Sequence, residues 1–267
     1  MVTLFVACLE KRGWFELDGV MVIGLGVGVL DILGVPIFNY PNQAGIFYAA
    51  LAILTLRYHS APPALLIFCM CVYHTGCESA MLLLVLVLSG WFLYKFRGYW
   101  VVLLPIIGGV VLIMGLYFGE DVWQHCASAL TRRVWQYDLA LNMIGDSPLF
   151  GFGGGSYRWI QTTYLMRQGP LSVDVISLVY GKGSGMLHCD YLDALVSFGV
   201  VGTAILMVTV GRQLYYRREP LVMLALGVIG VQALIDLPLR SMPVIILAAI
   251  LLAENENNEH HNYQRLG

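Results

Sequence analysis

Apolar runs long enough to cross a bilayer recur along the whole of this chain, parted by short polar links and by one long one. A hydrophobic stretch of that kind reads as a transmembrane helix. Charge is correspondingly scarce: 12% of the 267 residues are charged and 58% are hydrophobic, about half the charged fraction of a soluble domain. The expected fold is therefore an all-α polytopic membrane protein, and the usual scaling of domain number with length does not apply. The first nine residues, MVTLFVACL, are apolar but carry no basic leader and no small-residue cleavage site, so no cleavable signal peptide is expected there.

Eight spans are expected, at residues 20–38, 43–57, 61–74, 79–94, 99–118, 190–211, 220–236 and 239–253. Simple alternation of these spans sorts the basic residues. Lys11, Arg12, Arg57, Lys95, Arg97, Arg212, Arg217 and Arg218 fall on one side, which the positive-inside rule assigns to the cytoplasm. The other side receives YPNQ (40–43), HTGCES (74–79), the segment 119–189 and the link around Pro238. The organisation is then N-terminal helices over 1–118, an outer loop over 119–189, C-terminal helices over 190–253 and a polar, disordered tail over 254–267. His260 and His261 belong to that solvated tail, and no His/Cys spacing suggests a metal. Cys77, Cys126 and Cys189 share the outer side and could form one disulfide, with nothing in the spacing to select the pair.

The outer loop carries most of the polarity. From Asp121 to Ile144 its pattern suits an amphipathic helix, with Leu139 and Met143 four residues apart and Gly145 and Pro148 as stops. A second short helix is expected around Tyr157, Ile160 and Tyr164, which share one face; 169–186 reads as mobile. Between the helices lies PLFGFGGGSY (148–157). It lacks the GK[ST] ending of a nucleotide loop and no strand precedes it. It is either a flexible turn or a place where glycine lets backbone approach a ligand or another helix. Arg158 and Arg167 suit interfacial anchoring, by snorkelling to headgroups, or a phosphate.

Three separated stretches resemble the O-antigen ligase and polymerase family of bacterial membrane glycosyltransferases. In RVWQYDLALNMIGDSPLFGFGGGSY (133–157), Arg133, the aromatic Tyr137 four residues on and Pro148 fall at the family spacing, whereas Trp135 is out of step. In HCDYLDALVSFGVVG (188–202), His188, Asp190, Tyr191, Leu192, Gly199 and Gly202 match a His-Asn-Asp-Tyr-Leu…Gly-x-x-Gly signature, with Cys189 in the Asn position. DLPLRSMP (236–243) is similar to an Asp-Phe-Pro-Leu element before the last span. The departures are a small span count for the family, as in a short or truncated member, and Glu78 in TGCESA, where many members have an arginine.

The resemblance implies transfer of a glycan from an undecaprenyl-diphosphate carrier to a lipid A core, glycan or protein acceptor, at the periplasmic face of the inner membrane. Membrane lipids are the other partners; neither nucleic acid nor a cofactor is expected. His188 is the candidate base for the acceptor hydroxyl, since a neutral imidazole suits that work. Asp190 is placed either to orient it or simply to favour a helix N-terminus, and Tyr191 to orient base or acceptor. Arg133 is the first candidate for the leaving diphosphate and Arg240 a weaker one, with Gly151, Gly153 and Gly154 supplying amides. Asp236 reads as a cap or a partner for Arg240, and Asp31 as an intramembrane carboxylate with no evident partner. Two alternatives stand beside the transferase. A transporter would show repeat symmetry and mid-membrane charge, of which only Asp31 is seen. An inactive relative that binds carrier lipid or a partner enzyme is suggested by Glu78 and by the length.

Overall fold

The computed structural model describes residues 17–35, 37–38, 40–57, 62–95, 133–167, 186–215 and 219–253. No strand occurs among them. The helices are α1 (Leu17–Ile32), α2 (Pro41–Thr55), α3 (Pro62–Thr75), α4 (Glu78–Lys95), α5 (133–146), α6 (Tyr157–Arg167), α7 (Asp190–Tyr215), α8 (Pro220–Ile235) and α9 (Met242–Ala253), with a 3-10 turn at Pro238–Arg240 before α9. The expected span 99–118, the residues 121–132, the segment 169–185 and the tail lie outside the described residues.

Local chemistry sets the ends. Pro41 and Pro220 stand in the first turns of α2 and α8, where the missing N–H costs nothing. α1 stops at Ile32, six residues short of the expected boundary at 38. The cause is Gly34, at φ 83. Its amide donates to the Asp31 carbonyl at 3.0 Å, and the Val35 amide donates to the Leu30 carbonyl at 3.0 Å. This paired closure satisfies the last carbonyls of the helix and needs a left-handed residue, which glycine supplies without strain.

The chain divides into two compact units, 1–85 with 203–267, and 86–202. In the first, α2 is the centre. Gln43 to Thr55 are all buried, and α1, α3, α8 and α9 pack around it. A helix that is apolar on all sides belongs in such a position. Asp31 of α1 has a partner after all: its carboxylate meets the hydroxyl of the fully buried Tyr48.

Polar contacts mark the two ends of this unit. At one end the Asn42 amide donates to the Asp236 carboxylate, the Gln43 amide to the Leu237 carbonyl at 3.3 Å, and the Gln232 amide to the Ser79 hydroxyl at 2.9 Å. Asp236 also accepts from the Leu237 amide at 2.9 Å. At the other end Arg57 pairs with Glu219 at 3.3 Å. Three links that the sequence groups on one side thus meet at one end.

Among the described residues two helices are long and apolar enough to cross a membrane, α4 with 18 residues and α7 with 26. The apolar helices α1, α3, α8 and α9 run for 16, 14, 16 and 12 residues. At 1.5 Å per residue they give roughly 18–24 Å of rise, short of the ~30 Å hydrocarbon thickness. α4 and α7 also turn large apolar side chains outward, among them Leu82, Val85, Ile205 and Val208.

Candidate functional site

The second unit is built on a small core: Leu139, Ala140 and Met143 of α5, Tyr157, Tyr164 and Leu165 of α6, Leu187, and Val196 of α7. Burying each large side chain is worth about 1.5–3 kcal/mol. From residue 133 onward the amphipathic pattern of α5 is seen, as is that of α6, although Gly145 lies inside α5 rather than ending it.

The Gly-rich segment does something more specific than turn. α7 is broken at Gly199, at φ 64 and ψ −173. In an intact helix the amides of Val200 and Val201 would donate to the carbonyls of Val196 and Ser197. Here the loop takes both halves of each pair. Val200 and Val201 donate to the carbonyls of Pro148 and Leu149 at 2.8 and 3.1 Å, and Phe152 and Gly153 donate to the carbonyls of Val196 and Ser197 at 2.9 and 2.8 Å. The Gly155 amide adds a bond to the Ser197 hydroxyl at 3.3 Å. The approach is backbone against backbone. A Cβ on Gly151 would come within 2.6 Å of the Val196 oxygen, and one on Gly199 within 2.3 Å of the Leu149 carbonyl. Both positions also hold positive φ.

This seam alters what the glycines can contribute. The Gly151 amide donates to the Ser147 carbonyl at 3.2 Å and the Gly153 amide to Ser197. Those two amides are committed within the protein, so the diphosphate contact expected of them does not fit. Of the readings open in the sequence, close approach to another helix is the one realised.

Eleven residues before the break stands His188, at φ 52 and half-buried. It is the one non-glycine residue with positive φ among those described, in a conformation that His, Asn and Asp adopt more readily than most residues. Leu187 before it and Cys189 after it are buried, which pins both sides of the turn. The Tyr137 hydroxyl donates to the His188 carbonyl at 3.1 Å. Two of the three stretches singled out in the sequence thus meet at this turn. Arg133 lies one helical turn before Tyr137, a spacing that places both on one face. Among the described residues no acidic side chain pairs with it.

Asp190 is the first residue of α7, and Asp193, donating its amide to the Cys189 carbonyl at 3.0 Å, belongs to the same first turn. Both carboxylates favour the helix N-terminus. Tyr191 follows, half-buried. Burial pushes the Tyr157 hydroxyl up, and the Asp193 carboxylate adds to that shift. Burial likewise raises the Cys189 thiol. Cys77 and Cys189 are free thiols in different units; Cys126 lies outside the described residues.

Other expected contributors belong to other elements. Arg240 sits in the 3-10 turn of the first unit, and Glu78 is exposed at the start of α4. Arg167 is engaged with Asp146 at 3.0 Å and lies over the Tyr164 ring. The Tyr164 hydroxyl also donates to Asp146, at 2.5 Å. That bond first, and Arg167 second, hold the Asp146 carboxyl below the usual carboxylate range. Arg158 lies over the exposed Trp159 ring, 5.7 Å from its centroid. Among the described residues no cluster of His, Cys, Asp and Glu is arranged to hold a metal.

Sequence reasoning passed over Ser197, whose carbonyl and hydroxyl both serve the seam, and Asp193. A Gly-x-x-Gly inside an apolar helix, downstream of a second glycine cluster, was the available signal for the first. A family model described as O-antigen ligase matches residues 63–207, more than half of the chain, taking in both the Arg133 and the His188 stretches but not DLPLRSMP. No curated protein and no solved structure matches the chain.

Proposed function

The chain belongs to the O-antigen ligase family, and on that premise we propose that it transfers a glycan from undecaprenyl diphosphate to an acceptor hydroxyl at the periplasmic face. The family's activity is glycosyl transfer in the inner membrane. The proposal extends this to a multi-pass chain with the eight spans set out above. The observation that carries it is the Tyr137 hydroxyl on the His188 carbonyl, which joins the Arg133 helix to the histidine turn.

In the proposed step the acceptor O–H gives its proton to the His188 imidazole. The acceptor oxygen forms the new bond to the anomeric carbon as the bond from that carbon to the diphosphate oxygen breaks. The electron pair leaves on the diphosphate, where Arg133 offers a planar fork of donors to the developing charge. Tyr137 is a positioning residue, acting through the His188 backbone. Asp190 and Tyr191 line the start of α7 beside the base, and Gly151 and Gly153 act by closing the seam. Gly154 remains a candidate for donor contact.

The test is complementation of strains lacking O-antigen ligase, O-antigen polymerase or protein glycosyltransferase activity, read by glycan gel. The full chain is expected to restore transfer in one of them, and Arg133→Gln to raise the donor KM. Failure in all three strains, with the protein present in the membrane, overturns the reading.

A further inference from the structure

The seam exposes side chains that its backbone bonding does not require. Leu149 and Phe150, at its tip, are 58% and 72% exposed, and their neighbours across the seam, Phe198, Val200 and Val201, are exposed as well. Along α7 the surface changes character at this point. Residues 190–195 are half-buried, Val196 and Ser197 are buried, and from Phe198 onward the outward side chains are apolar and exposed, on through Ile205, Leu206, Met207 and Val208.

Charge changes at the same place. Asp190 and Asp193 are the last acidic residues on α7, and no charged residue follows until Arg212. On the loop side Asp146 is the last charge before the tip, and none occurs again until Arg158, stacked on the exposed Trp159. Tryptophan and arginine together suit a membrane–water boundary. Non-helical backbone at membrane depth is tolerated only where its polar groups are satisfied by protein or lie in a watery cavity. The exchanged bonds at Val196, Ser197, Val200 and Val201 meet that condition.

We propose that Leu149 and Phe150 dip into the acyl chains of the bilayer beside Phe198, Val200 and Val201, so that the break at Gly199, and not Asp190, marks where α7 meets hydrocarbon. The occupant of this apolar tip is bilayer lipid, because the tip is continuous with the exposed apolar side chains of α7 that run on through Val208, in a family of inner-membrane proteins. The nine residues from Asp190 to Phe198, before the break, amount to ~14 Å of helix. The His188 turn is thereby carried on the water side of the boundary. The inference rests on α7 entering the bilayer and is independent of the role given to His188.

The experiment uses the full chain in phosphatidylethanolamine–phosphatidylglycerol vesicles, with photoreactive benzoylphenylalanine in place of Phe150 and, separately, of Phe198. A control carries it in place of Asn142, on the exposed face of α5. Irradiation is expected to give acyl-chain adducts at 150 and 198, several-fold above position 142. Yields at both positions equal to the control, or adducts to a second protein copy instead of lipid, overturn the proposal. The Phe198 reporter decides the matter if the Phe150 variant fails to fold.

Discussion

Around α2, helices meet through side chains: Asn42 on Asp236, Gln232 on Ser79, Arg57 on Glu219. In the unit that carries His188 the tightest contact is main chain on main chain, at Gly151 and Gly199. A side-chain joint can lose one member and keep its geometry. At Gly151 and Gly199 the main-chain seam leaves no room for a Cβ. The unit that carries the candidate site is therefore the one with the narrower tolerance.

The largest effect is expected where that contrast is sharpest. Gly199→Ala and Gly151→Ala combine a left-handed backbone with a clash, and each should cost roughly 3 kcal/mol or more. Gly153→Ala, at positive φ but with nothing within 4 Å, should cost only the backbone term, about 1–2 kcal/mol. Thermal unfolding in detergent ranks the three, and equal losses would dissolve the distinction drawn here. Next comes the side-chain joint. Asp236→Ala removes bonds from Asn42 and Leu237 and should cost about 1.5–3 kcal/mol, while Asn42→Ala, which leaves the Leu237 bond, should cost less.

Smaller still, and opposite in sign, is Gly145→Ala. This glycine is helical with open space around its Cβ position, and the change should stabilise α5 by about 0.5–1 kcal/mol. The smallest effect is electrostatic. Asp146 is held below its ordinary range by Tyr164 and Arg167, so its contribution is present above the unfolded pKa and lost as pH falls through the folded one. Tyr164→Phe should move the Asp146 titration, followed by carboxyl NMR, to higher pH. No movement would remove the hydroxyl from that account.

Much of this was legible beforehand because it is local. The periodicity of Leu139 and Met143 places α5, and the shared face of Tyr157, Ile160 and Tyr164 places α6. The family resemblance, matched on the Arg133–Tyr137 spacing, aligns Tyr137 and not Trp135 with the family aromatic. What was not legible is what distance in sequence hides. Asn42 and Asp236 are 194 residues apart, and nothing in either segment names the other. The break at Gly199 was hidden because hydropathy runs through it unbroken; only its exchange with 148–153 makes a helix cheaper broken than whole. Gly34 was a local signal, outweighed by the apolar run that continues past it.

The most direct test of the central claim replaces the histidine with a residue that tolerates the same backbone. His188→Asn keeps a side chain suited to positive φ but removes the base. With purified full-length protein, undecaprenyl-diphosphate glycan and acceptor, transfer should fall about 10²–10⁴-fold while donor binding stays as in the unaltered chain. Transfer retained within a few-fold, with donor binding unchanged, would contradict the assignment of His188 as the acceptor-activating base.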